Sequence, residues 1–386
     1  GMRINTMNAN LNESSIEHYA LDLFQSLGWE YVFGPDIAPD VEKSNVRIAK
    51  RKSFEDVLLL DILESRLKLI NPQIPDDAIN DAIKTISNVP NQFPNLMANN
   101  EAFHRLLTEG IRVTYRKNGE EKGDIVKLID FKNIENNDFR VINQFTVIEN
   151  NINKRPDIVL FVNGIPLVII ELKNPADENA TIQSAYNQIQ TYKQTIPSFF
   201  SYNEIIVISD GLEAKIGSLS AGYDRFTAWK SMDDIYSDAM QGVFKFTQLE
   251  ILIKGLFNKE TFLDFLRFFI VFGKSRTEDA TGQTIVKLTK KIAAYHQYYA
   301  VNKAIESTLR AIGKNKEHWQ VKESPASYGL PDVKKQPEGD RKAGVIWHTQ
   351  GSGKSLSMVF YSAKIIQTLA NPTIVVITDR NDLDDQ

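Results

Sequence analysis

Asp157, Glu171 and Lys173 are the residues whose types and spacing suggest chemistry first. They sit in RPDIVLFVNGIPLVIIELK, residues 155–173, where two apolar runs rich in β-branched residues flank Asn163-Gly164. That dipeptide is a strong hairpin signal. Asp157 and Glu171 lie seven residues either side of Gly164, so pairing about the turn sets the two carboxylates opposite each other. Lys173 follows Glu171 by two residues and so shares its face. Charges gathered at the end of an apolar hairpin need partners, a metal or water. Two carboxylates can hold Mg²⁺, and a lysine beside them can orient or help deprotonate a water, as phosphodiester hydrolysis requires. By spacing alone, D-x13-E-x-K is equally a strand-end salt bridge. Gln188 and Tyr192 are one turn apart on a predicted helix over 180–194 and can pack over the same sheet end, although such a pair is also ordinary helix surface. Glu17, at the edge of a predicted amphipathic helix over Glu13–Leu27, can add a carboxylate; a solvated helix edge accounts for it more simply.

A second constellation is His348-Thr349-Gln350-Gly351-Ser352-Gly353-Lys354-Ser355. It lies between a predicted strand, Ala343–Trp347, and a predicted helix, Leu356–Leu369, the context a phosphate-binding loop requires. Gly351 and Gly353 let backbone N–H groups approach phosphates, Lys354 reaches the β/γ phosphates, and Ser355 offers a hydroxyl to Mg²⁺. The first glycine of the common G-x4-GK[ST] form is replaced by His348, as in the helicase form of the loop. A strand, Thr373–Thr378, follows, with no Asp/Glu box after it. Upstream, Gln297 in Tyr295-His296-Gln297-Tyr298-Tyr299 can read the N6/N7 edge of adenine; otherwise this is an aromatic helix core.

The elements that must position these groups are legible in outline. Predicted helices cover Glu13–Leu27, Phe54–Leu69, a segment after Pro75-Asp76-Asp77, and Asn99–Thr108; strands cover Ile111–Arg116, Asp124–Asp130, Asp138–Glu149 and Glu204–Ser209. Helices before a β-meander, and a helix before the last strand, predict an α/β mixed sheet. Past Gln248 long helices are expected, broken at Asn258-Lys259-Glu260 and resuming over Ile285–Ile312, with a loop over 313–342. Two domains are drawn, 1–240 and 241–386. Without cysteine there is no disulfide or thiolate metal site, and the five histidines lack metal spacing. No apolar run reaches membrane-spanning length, so no membrane is expected, and a cytoplasmic location fits. A net charge of −4 without a basic run means any nucleic-acid surface must be a local patch or come from partners.

Together these pieces resemble the N-terminal part of the restriction (motor–nuclease) subunit of type I restriction–modification enzymes. The resemblance rests on AAYHQYYAVNKAIE, IWHTQGSGKSLSM and IVVITDRNDLDDQ, on RPDIVLFVNGIPLVIIELKNP and QIQTYK, and on NQFTV, NPQIP, NNEAFHRLLTEGI and SDGLEAKIGS, and so spans nearly the whole chain. It implies a PD-(D/E)xK, restriction-endonuclease-like mixed sheet flanked by helices, with Asp157, Glu171 and Lys173 catalytic and Gln188 and Tyr192 as an accessory helical motif. It also implies a partial RecA-like, superfamily 2 helicase-like ATPase domain with Gln297 against adenine. The implied activity is Mg²⁺-dependent cleavage of double-stranded DNA coupled to ATP-driven translocation, in complex with modification (methyltransferase) and specificity subunits. With no second RecA domain, acidic box or arginine finger in the sequence, competent ATPase activity is not expected of this chain. The alternatives are a repair nuclease–helicase, marked by end-dependent degradation, and a non-catalytic DNA-binding or assembly module.

Overall fold

The computed structural model describes residues 12–41, 51–177, 181–230, 247–314 and 337–377. In chain order its helices are α1 (Glu13–Ser26), α2 (Leu60–Ile70), α3 (Asp76–Ser87), α4 (Leu96–Glu109), α5 (Ile182–Thr195), α6 (Pro197–Phe200), α7 (Gln248–Leu256), α8 (Lys259–Phe268), α9 (Tyr295–Ala311) and α10 (Lys354–Thr368). The strands are β1 (Glu30–Phe33), β2 (Ile111–Lys117), β3 (Glu120–Val126), β4 (Phe139–Asn143), β5 (Val147–Glu149), β6 (Ile152–Lys154), β7 (Ile158–Val162), β8 (Ile165–Leu172), β9 (Ile205–Ser209), β10 (Ala214–Gly217), β11 (Ile270–Glu278) and β12 (Thr284–Ile292).

A six-stranded mixed sheet, in the order β1-β4-β7-β8-β9-β10, carries the first half of the chain. Every residue of β7, β8 and β9 is buried, which explains why their sequences are continuous apolar runs rather than alternating ones. β7 and β8 form the expected hairpin, and β8 and β9 run parallel through the α5 crossover. The turn between β7 and β8 places Asn163 at φ 52° and Gly164 at φ 77°, the left-handed pair a two-residue turn demands. Gly164 is also pressed against the approach to α2, where a Cβ would lie 2.5 Å from the Leu59 carbonyl oxygen. The buried Asn163 amide donates to the Leu128 carbonyl at 2.9 Å, so the turn is anchored from both sides.

Several boundaries differ from expectation for local reasons. Residues 54–59 are not helical: the buried Arg51 guanidinium holds the Phe54 and Asp56 carbonyls, and the Leu59 N–H donates to Gly164. The strand expected over Asp124–Asp130 is instead β3, ending at Val126, and Asn71 takes the next peptide through its side chain. The strand expected over Asp138–Glu149 breaks into β4 and β5 at Gln144, which adopts φ 53°. The break near Asn258 is present, with Asn258 capping α8. The helix expected over Ile285–Ile312 begins only at Tyr295, because TIVKLTKKI pairs as β12 with β11. Residues 343–347 and 373–377 form no strand among the described residues; Val345, Trp347 and Ile377 are over 90% exposed, with no ladder neighbour to pair them. Thr378, Ala180, residues 315–336 of the expected loop and the boundary drawn at 240 fall outside the described residues.

The segment after residue 247 is packed onto the sheet. The Trp29 indole N–H donates to the Phe257 carbonyl at 2.9 Å, and the Tyr19 hydroxyl to Glu250 at 2.7 Å. On β12, fully buried Lys290 sits 3.2 Å from buried Glu204, which also meets His104 at 2.9 Å. Further on, Lys364 of α10 pairs with Asp264 of α8 at 2.7 Å and with Asn302 of α9, tying three helices together.

Candidate active site and nucleotide loop

The β7–β8 pairing decides whether the carboxylates meet. At the turn Val162 faces Ile165 and Phe161 faces Pro166; continued unchanged, that register would set Asp157 against Ile170. A bulge skips Leu167, so Leu160 faces Val168 and Ile158 faces Ile170. One step further, Asp157 lies across from Glu171, as the spacing about Gly164 predicts. The two-residue turn alone would have missed by one residue and turned the acids to opposite faces.

The two carboxylates sit in nearly dry surroundings, 8% and 3% exposed. Asp157 Oδ2 accepts the Leu172 N–H at 2.8 Å, and the Tyr192 hydroxyl donates to Glu171 Oε1 at 3.3 Å. Lys173 Nζ stands 3.7 Å from the same oxygen, and the Lys173 N–H donates to the Ser209 carbonyl across the parallel ladder. Glu171 Oε2 is buried without a hydrogen-bond partner. Burial raises the Asp157 carboxyl to about 7, with the Leu172 N–H opposing and the charges of Glu13 and Glu17 adding to the rise. Burial, then the Asp157 charge, pushes Glu171 well above the carboxylate range against Lys173 and Tyr192. Two acids that resist ionising side by side, with one oxygen orphaned, fit a divalent cation: it would supply the missing partner and let both ionise. Two carboxylates fill only part of such a shell, leaving positions for carbonyl, water and phosphate oxygens.

Tyr192 is buried over this sheet end, and the half-buried Gln188 side chain is within hydrogen-bonding reach of its hydroxyl. Burial and the Glu171 charge raise the phenol strongly, so it remains a donor. Glu17 is not on a solvated helix edge. It is buried and accepts from the Asn143 amide and, at 2.8 Å, from the Gln144 amide. Gln144 in turn gives its backbone N–H to the Asp157 carbonyl at 3.0 Å, and the Tyr31 hydroxyl donates to Asn143 at 3.1 Å. Asn143 and Gln144 therefore belong to the site's surroundings, although the spacing argument passed over them. Their signal was a polar pair interrupting the apolar strand VINQFTV.

The nucleotide loop is built differently. Gly351 and Gly353 adopt φ 80° and 81°, and Gly353 caps the start of α10. Lys354 Nζ folds back on the His348 and Thr349 carbonyls at 2.9 and 3.2 Å. Thr349 and Gln350 are exposed, while Ser352 and Ser355 are half-buried. Gln297 is buried against the loop. Its Oε1 accepts the Ala294 N–H at 2.9 Å and its Nε2 donates to the Gly353 carbonyl at 3.0 Å. One lone pair and one N–H of the amide remain for a base edge. His296 Nε2 meets the Ser352 carbonyl at 2.9 Å, so two adjacent residues of α9 grip two adjacent peptides of the loop. Among the described residues no helix is long and apolar enough to cross a membrane.

Two family models match separate stretches of the chain. Residues 10–225, more than half of the chain, match the family described as "Type I restriction enzyme R protein N terminus", and residues 296–386 match "SWI2/SNF2 ATPase". The chain is similar to the type I restriction enzyme HindI endonuclease subunit of Haemophilus influenzae, 42% identical over 97% of this chain and 32% of that protein. It is similar to the putative type I restriction enzyme MjaIXP endonuclease subunit of Methanocaldococcus jannaschii, 35% identical over 98% of this chain and 34% of that protein. The chain thus spans about a third of the length of these relatives. With a mixed sheet carrying two opposed acids and a lysine, followed by a glycine-rich loop at a helix start, the chain belongs to the type I restriction enzyme R protein family.

Proposed function

We propose that this chain carries the DNA-cutting site and part of the ATP-dependent motor of a type I restriction enzyme R subunit. In this reading the mixed sheet is a restriction-endonuclease-like fold that cleaves double-stranded DNA with Mg²⁺. The segment around the glycine-rich loop belongs to a RecA-like domain that binds ATP and couples its hydrolysis to translocation. Modification and specificity subunits complete the assembly. The observation that carries the reading is the bulge-set register, which sets Asp157 across from Glu171 beside Lys173, with one Glu171 oxygen buried and without a hydrogen-bond partner.

Asp157 and Glu171 would hold the cation. When bound, Mg²⁺ supplies a more acidic water and charge relief at the phosphate. The chain's own groups do the rest: the Leu172 N–H fixes one Asp157 oxygen, the Tyr192 hydroxyl steadies Glu171, and Lys173 places a positive charge where water and phosphate would meet. Glu17 fixes the Asn143–Gln144 turn that holds the Asp157 main chain, and it can approach a second cation only by giving up those amides. At the loop, the backbone of Gly351, Ser352 and Gly353 would hold phosphates, Lys354 would give up its His348 and Thr349 carbonyl partners for phosphate oxygens, and Ser355 would offer its hydroxyl to Mg²⁺. Thr349 and Gln350 frame the loop, and Gln297 offers its free amide positions to adenine.

Plasmid cleavage by the chain, alone and reconstituted with its partner subunits, tests the reading. Asp157→Asn and Lys173→Ala should each lower Mg²⁺-dependent cleavage by about 10²–10⁴-fold while circular dichroism stays near that of the parent. Undiminished cleavage in both variants sinks the assignment. Cleavage that proceeds inward only from free ends would favour the repair nuclease–helicase class instead.

A further inference from the structure

The β11–β12 hairpin is a basic ribbon that neither constellation above uses. Its strands are nine residues each and form a two-stranded sheet of their own. The base is anchored: Lys290 is buried on Glu204, and Phe272 packs against His104. From Lys274 to Lys287 nearly every residue is exposed, including Ile285 and Val286 at 48% and 56%. The projecting part is about 20 Å long at ~3.3 Å per residue, enough to enter a major groove about 12 Å wide.

Folding assembles the charge. Lys274, Arg276, Lys287 and Lys291 are scattered in sequence, and no basic run marks them. Cross-strand pairing puts Lys274 opposite Leu288, Arg276 opposite Val286, Lys287 opposite Ser275 and Lys291 opposite Val271. By the strand period, Lys274 and Arg276 share one face and Lys287 and Lys291 the other. All four are exposed and none has an ion-pair partner among the described residues. The hairpin's acids, Glu278 and Asp279, lie at the turn, where Asp279 is occupied in capping Thr281 and Gln283. The β2–β3 hairpin makes the contrast. It too exposes four cations, but Glu121 faces Arg116, Glu120 faces Lys117, and Lys122 lies 3.8 Å from Asp124.

We propose that the β11–β12 hairpin is a duplex-DNA contact that inserts between two rows of backbone phosphates. Cations on both faces suit phosphates on both sides, and Thr277 and Thr284 add hydroxyl donors along the same strands. The anchored base meets the sheet at Glu204, beside Leu167 and at the other end of β8 from Glu171, while β12 runs through Ala293 into the His296–Gln297 grip on the nucleotide loop. The inference rests on the reading that the chain acts on double-stranded DNA.

The test is equilibrium binding of a duplex of about 30 base pairs to the 386-residue chain in EDTA, as a function of salt. The combined variant Lys274→Gln, Arg276→Gln, Lys287→Gln, Lys291→Gln should weaken binding at least about ten-fold near 0.1 M salt. It should also lower the slope of log K against log salt by about 2–4. The matched variant Arg112→Gln, Arg116→Gln, Lys117→Gln, Lys122→Gln should stay within about two-fold of the parent. Equal losses in the two sets, an unchanged slope, or binding by the parent that does not respond to salt overturns the proposal. Retained duplex affinity with lost association to the partner subunits also overturns it, in favour of a protein-docking ribbon. The two readings separate by readout: duplex binding in EDTA reports on the hairpin, and Mg²⁺-dependent cleavage reports on Asp157, Glu171 and Lys173. A parent that binds through the hairpin but never cleaves would sink the nuclease assignment alone.

Discussion

The acidic site and the nucleotide loop are positioned by opposite means. Asp157 and Glu171 are placed by backbone: a turn, a one-residue bulge and strands buried on both faces leave them one arrangement. The loop around Gly351 and Gly353 is placed by side chains reaching from elsewhere, namely His296, Gln297 and, beneath α10, the Lys364–Asp264 pair. The flanking segments 343–347 and 373–377 carry no regular secondary structure and are largely exposed. A site set by strand register tolerates the loss of one hydrogen bond. A site set by a few reaching side chains does not.

The largest expected effect follows from that difference. Lys364→Ala removes the cation beside half-buried Asp264, leaving it the Tyr298 and Asn302 donors, and also removes a partner of Asn302. Breaking a fully buried pair costs about 3–5 kcal/mol, and the exposure and remaining donors of Asp264 keep this loss below that range. The loss should fall on α8, α9 and α10, leaving the six-stranded sheet intact. Hydrogen exchange should show faster exchange in residues 295–311 and 354–368 with β7–β9 unchanged. Uniform acceleration through the sheet would mean that the two regions stand or fall together, and the comparison would fail.

The acidic site has its own signature in pH. Asp157 titrates near 7 when folded, against an ordinary value of 3.8, so between those limits the folded chain binds more protons than the unfolded one. Its contribution therefore favours the fold least at high pH: stability falls as pH rises from about 4 to about 7, by at most about 4 kcal/mol for this one group. Glu171 pulls in the same direction. In metal-free buffer Asp157→Asn should flatten this slope and be the more stable protein at pH 8. Mg²⁺ should stabilise the parent there and hardly affect the variant. An Asp157→Asn variant less stable than the parent at pH 8 in EDTA would show that the carboxylates are not straining the fold.

How far the sequence led follows from the same contrast. The β7–β8 hairpin and its three charges were legible because Asn163-Gly164 and two apolar runs are local signals, and local signals set strand pairing. The bulge at Leu167 was not legible: skipping one residue in an apolar run leaves no mark on hydrophobicity, and the predicted register came from symmetry about Gly164 rather than from any reading of the turn. Glu17 was placed at a solvated edge because helical period reports only the helix's own face. Its burial comes from Asn143 and Gln144, more than a hundred residues away. Ile285–Ile292 reads as helix in sequence because Lys290, which anchors β12, looks like one more surface lysine until Glu204 is brought to it. The glycines of the nucleotide loop were plain in sequence, whereas the grip of His296 and Gln297 depends on where α9 ends up.

The smallest effect is the most discriminating. Tyr192→Phe removes one hydrogen bond, 3.3 Å long, from Glu171 Oε1, and leaves Lys173 and the strand register in place. If register positions the acids, the loss is worth about 0.5–1.5 kcal/mol, and cleavage at saturating Mg²⁺ should fall less than about ten-fold. The Tyr192 hydroxyl also favours the ionised carboxylate, so its removal raises Glu171 further. The acid limb of the cleavage–pH profile should move up, and more Mg²⁺ should be needed at pH 6.5 than at pH 8.5 to reach the same rate. A fall of a hundred-fold or more at high pH and saturating metal would mean that α5, reaching across as the helices do at the nucleotide loop, is what positions Glu171. The division between a site set by strands and a site set by side chains would then be lost.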